Sequence, residues 1–223
     1  MSAQRLRWFE LCLVLLLTIA PYFLSSLFYL IAGHNTQGDS PNFKWTTMIV
    51  REFSGLLLLG YVLSRRMLRM TDLGLRWSFR DVGSGFLVAS ASYLAYGVGH
   101  IFVRAIHHAV FPSASSGPTP LQIFGHTSFM AIPFVLLNPF FEELIVRAYL
   151  MTEVKDLTGS WFLSVVLSVV VQTSYHLYYG WEMALSLSFQ FLIFAIYYAR
   201  KQRAMPIIVA HGVFDIIGLM QLW

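Results

Sequence analysis

The sequence predicts an all-α, polytopic transmembrane helix bundle of roughly seven spans, and three observations carry that prediction. Hydrophobic residues make up 57% of the 223-residue chain and charged residues 12%, with a mean hydropathy of +0.64. This composition does not suit a water-soluble globular domain. Apolar runs close to the roughly 20 residues needed to cross a hydrocarbon core of about 30 Å recur along the chain, with short polar breaks between them. Basic residues gather in alternate breaks, as short cytoplasmic loops require.

The first expected span runs from Trp8 to Ala32. Arg5 and Arg7 before the apolar run Leu11 to Ala20 resemble a signal peptide, but the run continues through Pro21 to Ile31 without a convincing small-residue cleavage site, so the reading is a retained helix. The second covers Trp45 to Leu63, the third Val82 to Val110 and the fourth Thr127 to Val154. The last three are Ser160 to Tyr179, Met183 to Ala199 and Met205 to Leu222. Ser78-Phe79-Arg80-Asp81 has the form of a capping box opening the third helix. Gly33 to Asn42 and Phe111 to Gly125 are rich in turn formers and read as loops. The whole, 1–223, reads as one integral-membrane domain, with the chemistry-bearing core over about 127–222.

The net charge of +4 and pI near 9.3 do not indicate nucleic acid, because the basic residues divide by face. An N-terminus on the cytoplasmic side collects most of the arginines there, while Lys44 and Arg104 fall opposite. The C-terminus then lies on the far side. Arg65 to Arg80 mixes arginines with Met67, Leu68, Met70, Trp77 and Phe79, which suits either a segment in the headgroup layer or a solvated topogenic loop. Cys12 is the sole cysteine, so neither an intramolecular disulfide nor a cysteine-rich metal site is available.

Function is sought where polar residues sit at membrane depth, since charges there cost roughly 2.5 to 3.5 kcal/mol each on insertion scales. Glu142-Glu143-Leu144-Ile145-Val146-Arg147 is the foremost case. At about 100 degrees per residue, Arg147 lies within about 40 degrees of Glu143 but about 140 degrees from Glu142, so it pairs with Glu143. Glu142 is left to face another helix, as a general base or acid would. Pro139 removes the backbone hydrogen bond to the Val135 carbonyl and loosens the turn leading into the glutamates. The next helix carries Gln172 and His176 one turn apart, with Tyr175 and Tyr179 nearby, and the last carries His211 and Asp215 at the same spacing. Counted at about 1.5 Å per residue from the cytoplasmic ends, Glu142, His176 and Asp215 reach one layer and His211 is the outlier. Arg51 and Glu52 read as snorkelling near a helix end. His107-His108 has no nearby carboxylate in sequence, so a metal site there is disfavoured.

Glu-Glu-x-x-x-Arg, a helix histidine about thirty residues on, and a final His-x-x-x-Asp together resemble the CPBP family, the CAAX prenyl endopeptidases and bacteriocin-processing intramembrane proteases also called the Abi family. Asp72-Leu73-Gly74-Leu75 is a further similar feature. The resemblance implies a cavity-containing active site within the membrane, with Glu142 and His176 activating water, His211 and Asp215 polarising the scissile carbonyl, and Glu143 and Arg147 in support. Two positions depart from the family pattern. Gln172 stands where an aromatic residue is common, and Asp215 where Asn is, an ionised carboxylate being a poor oxyanion donor. A metal variant would place Zn²⁺ on His176, His211 and Glu142 or Asp215. The implied partners are peptide or membrane-protein substrates, lipidated ones included, within the bilayer. Two other readings of the same residues are a non-catalytic membrane protein, for immunity or scaffolding, and a proton-coupled transporter.

Overall fold

The computed structural model describes residues 2–33, 40–110, 118–119, 122–123 and 127–222. Its regular structure is entirely helical: α1 Ala3–Thr18, α2 Ala20–Ala32, α3 Pro41–Arg65, α4 Phe79–Val110, α5 Ala131–Glu142, α6 Leu150–Thr158, α7 Trp161–Tyr175, α8 Trp181–Lys201 and α9 Met205–Met220. A π-helical segment, Glu143–Tyr149, joins α5 to α6, and short 3-10 turns occupy Met70–Leu73 and Leu177–Tyr179. Most of the two expected loops lies outside the described residues.

By length and composition, three of these helices can cross a membrane: Pro41–Arg65, Phe79–Val110 and Trp181–Lys201. The pair Gln4–Thr18 and Ala20–Ala32, bent by 46°, makes a fourth candidate. Trp161–Tyr175 and Met205–Met220 are apolar but shorter. The single first helix expected from the sequence is therefore broken at Ile19. Pro21 has no N–H to bond the preceding turn, and the Thr18 hydroxyl donates back to the Val14 carbonyl at 2.7 Å, a bond that bends helices.

α4 forms the spine, packing along α8 and α9, while α7 lies between α6 and α8 and α3 packs on α5. Gly55 permits that last approach, since a Cβ there would stand 2.6 Å from the Phe141 ring. The start of α4 is not the expected capping box. Ser78 Oγ accepts from the Arg80 N–H at 3.3 Å, and the Asp81 carboxylate is taken by Arg203 at 2.6 and 2.9 Å. That pairing holds the Arg203 pKa above its usual range through the hydrogen bonds that its guanidinium donates to Asp81.

The core centres on the π segment. All seven residues Glu143 to Tyr149 are buried, among Leu59, Leu63, Phe194 and Ile207. A helical stretch covered on every side belongs to the middle of a bundle.

Candidate active site

The two glutamates diverge as their positions suggest, but with more partners. Glu142 ends α5, and its Oε2 accepts two hydrogen bonds at 2.8 Å, from the Gln172 amide and from the Tyr175 hydroxyl. No hydrogen bond among the described residues reaches Oε1, and the side chain keeps 10% exposure, enough for contact with water. Glu143 opens the π segment. Its Oε1 accepts from His211 Nδ1 at 2.8 Å, and its Oε2 lies 3.7 Å from Arg147 Nε, with both side chains 0% exposed. Arg147 also donates to Ser168 Oγ at 3.0 Å and to the Phe191 carbonyl at 3.4 Å. Ser168 in turn donates to the Val146 carbonyl at 2.8 Å, closing a buried circuit between the π segment and α7.

His176 is not inside a helix. It caps α7, and its Nδ1 lies 2.8 Å from the Gln172 carbonyl. A carbonyl only accepts, so Nδ1 carries the proton and Nε2 keeps its lone pair. Phe191 and Tyr179 hold the ring, with centroids 4.9 and 6.1 Å away. Gln172 thus touches both members of the pair, His176 through its backbone and Glu142 through its side chain. No direct hydrogen bond joins Glu142 to His176. His211 comes nearer, with Nε2 4.0 Å from Glu142 Oε2 and 3.5 Å from Asp215 Oδ1. The depth count left His211 an outlier, yet α9 packs directly against α5 and carries the ring to both glutamates.

Three features of the site were not foreseen. Asn138, one residue before Pro139, donates to Asp215 Oδ2 at 2.9 Å. A lone asparagine in an apolar run was the available signal. Tyr175 is a direct ligand of Glu142. Glu52 does not snorkel: it is 1% exposed, and its Oε2 has no hydrogen-bond partner among the described residues. Arg51 instead lies over the Tyr22 ring, 4.1 Å from its centroid, and Tyr22 meets the rings of Phe141 and Tyr175 at a tilt.

A cleft of about 990 Å³ opens beside these residues. His176, His211 and Asp215 line one part, and His100, Arg104 and Glu182 another. Glu182 supplies the carboxylate that the sequence did not place near His107, at 2.6 Å from Nδ1. Among the described residues no group of three His, Cys, Asp or Glu side chains is arranged to hold a metal ion. Of the residues named for Zn²⁺, His176 turns Nδ1 to the Gln172 carbonyl and His211 turns Nδ1 to Glu143, which leaves Nε2 of each ring for other partners.

Comparison with protein families places residues 124–217 in the Rce1-like family, described as type II CAAX prenyl endopeptidase Rce1-like. This segment is an Rce1-like domain. It contains all six residues singled out for chemistry or its support, Glu142 through Asp215, whereas Glu52, Arg51 and Tyr22 lie outside it. Comparison with curated proteins and with solved structures gave no match. The family that residues 124–217 match is one of CAAX prenyl endopeptidases.

Proposed function

We propose that the chain is an intramembrane endopeptidase that hydrolyses a peptide bond by a Glu142-activated water. The observation that carries this reading is the Glu142 carboxylate. One of its oxygens is pinned by Gln172 and Tyr175, while the other accepts no hydrogen bond among the described residues, on a side chain that keeps 10% exposure. Oε1 takes a proton from water, and the hydroxide adds to the scissile carbonyl carbon. His176 Nε2, its tautomer set by Gln172, accepts a hydrogen bond from the same water and orients it. His211, with both ring nitrogens protonated, donates Nδ1–H to Glu143 and turns Nε2–H to the developing oxyanion. Collapse of the tetrahedral species passes the proton from Glu142 to the leaving amine. Asp215 is a positioning residue, fixed by Asn138 beside His211. Glu143 and Arg147 hold that imidazole in place from within the core.

The same proposal includes a single integral domain with seven crossings: α1 with α2, α3, α4, the composite of residues 131–158, α7, α8 and α9. The N-terminus is cytoplasmic, since Arg7, Arg66 and Arg203 meet the loops at one end. The bilayer and a peptide or membrane-protein substrate, lipidated or not, are the partners.

Quantitative proteomics of membranes carrying the native chain or Glu142→Ala tests the function. A cleavage product that disappears with Glu142→Ala is expected. Unchanged peptide profiles with cellular function retained would mean a binding, immunity or scaffold role, and loss of proteoliposome proton flux would mean transport. Activity that survives removal of metal ions by chelation is expected, and its loss on chelation with recovery on Zn²⁺ would overturn the metal-free step.

A further inference from the structure

The catalytic reading leaves the arginine-rich turn at the foot of α3 and α4 unexplained. Arg65, Arg69, Arg76 and Arg80 are all exposed, and among the described residues none of them pairs with a carboxylate. Their neighbours differ: Arg7 and Arg66 are taken up by Glu153, and Arg203 by Asp81. Large apolar side chains stand exposed between the four free cations. Met67 is 91% exposed, Trp77 64% and Phe79 87%. In water such residues would be a liability, and here they continue a stripe. Phe79, Phe86, Leu87, Leu94, Val98 and Ile101 recur at helical spacing on the outer face of α4, and all are exposed. The stripe faces hydrocarbon, so its foot, with Trp77 and Phe79, marks the headgroup layer.

The turn is also rigid, which separates it from a solvated loop. Asp72 accepts from the Arg69 N–H at 2.7 Å and closes the 3-10 turn. Gly74 adopts φ 80°, and its carbonyl accepts from the Ala204 N–H at 3.0 Å. Tyr198 donates to the Leu73 carbonyl at 3.1 Å. Exposed guanidinium groups carried on a fixed backbone beside apolar anchors match a phosphate-bearing lipid, with its acyl chains along α4 and its headgroup among the arginines.

We propose that the segment 65–80 is a docking site for anionic phospholipid headgroups. The site is independent of peptide hydrolysis and is tested without a substrate. The full chain, purified in a neutral detergent, is titrated with phosphatidylglycerol or phosphatidylcholine and the retained lipid is counted by native mass spectrometry. Phosphatidylglycerol is expected to bind at least about 100-fold more tightly, from the attraction of each basic residue near an anionic surface. Arg65→Gln/Arg69→Gln/Arg80→Gln removes three charges without disturbing the Arg76 to Thr71 hydrogen bond. It should weaken phosphatidylglycerol roughly 100-fold and leave phosphatidylcholine unchanged. Equal binding of the two lipids by the native chain, or an unchanged preference in the triple variant, would overturn the proposal. So would displacement of the lipid by millimolar inorganic phosphate, which would indicate a small-anion site. A second measurement does not depend on the variant's folding: brominated phosphatidylglycerol should quench the part of the fluorescence that Trp77→Phe removes. Quenching of that part by brominated phosphatidylcholine to the same extent would count against it.

Discussion

Replacing Arg147 with methionine should be among the most damaging single changes in this chain. The guanidinium is wholly buried, 3.7 Å from Glu143 Oε2 and bonded to Ser168 and the Phe191 carbonyl. Near 4 Å and at an effective dielectric of 20, the gross attraction between opposite charges is about 4 kcal/mol. Neither Glu143 Oε2 nor Arg147 Nε makes a hydrogen bond within that pair, so the attraction is chiefly coulombic. Methionine matches the volume of the stem, and the cost therefore comes mostly from Glu143 Oε2, which loses its facing charge while Oε1 stays on His211, rather than from a cavity. Breaking a buried pair by removing one partner costs about 3 to 5 kcal/mol. The measurement is a set of unfolding curves in mixed micelles titrated with sodium dodecyl sulfate, followed by circular dichroism, for Arg147→Met, Glu143→Gln and the double variant. Removing the orphaned charge should return about 1 to 3 kcal/mol, so Glu143→Gln/Arg147→Met is expected to be more stable than Arg147→Met. If the double variant is no more stable than Arg147→Met, the two side chains do not neutralise one another and the account of the core fails.

Other substitutions probe separate contacts. Tyr175→Phe removes one of two donors to Glu142 and should slow cleavage about 10- to 100-fold, measured as product formation at saturating substrate, with the fold retained. Glu142→Gln keeps the volume but not the base, and should lower the same rate by about 100-fold or more while the thermal midpoint stays near that of the native chain. Asn138→Leu strands Asp215 Oδ2 and should destabilise by about 1 to 3 kcal/mol in the micelle titration, whereas Asn138→Ser should restore part of the loss. Gly74→Ala meets both a left-handed backbone and the Gln202 carbonyl, so it should cost more than the roughly 1 to 2 kcal/mol of the backbone effect alone.

Polar residues stand out in an apolar background, and for that reason Glu142, Glu143, Arg147, His176, His211 and Asp215 could be singled out from the sequence. Helical spacing gave the Glu143–Arg147 pairing, whereas the depth count set His211 apart from the glutamates that it meets. What the sequence concealed has physical reasons. Tyr175 is a residue type at home in membrane helices, and only packing reveals that it faces Glu142, as it reveals that the lone Asn138 meets Asp215. Glu52 and Arg51 lie toward a helix end, and that position suggested a short route to water for both, but the two side chains part: one enters the core and the other covers Tyr22. His176 read as a helical residue because the apolar pattern runs on to Tyr179, whereas the backbone stops at Tyr175 and uses the histidine as a cap. The Ile19 break and the π winding after Pro139 are backbone events, and a count at uniform pitch passes over both.

The wider winding of residues 143–149 has a consequence for how the chain tolerates length changes. A turn closed five residues apart holds one residue more than an ordinary helical turn, so α5 and α6 are out of phase by about 100 degrees relative to a continuous rod. Deleting one residue between Leu144 and Ala148 would relieve that offset and let the rod wind evenly. The same relief would swing the carboxylates of Glu142 and Glu143 around the axis, away from the amide, phenol and imidazole that now meet them. A shortened chain of this kind would be better wound and blind at its centre.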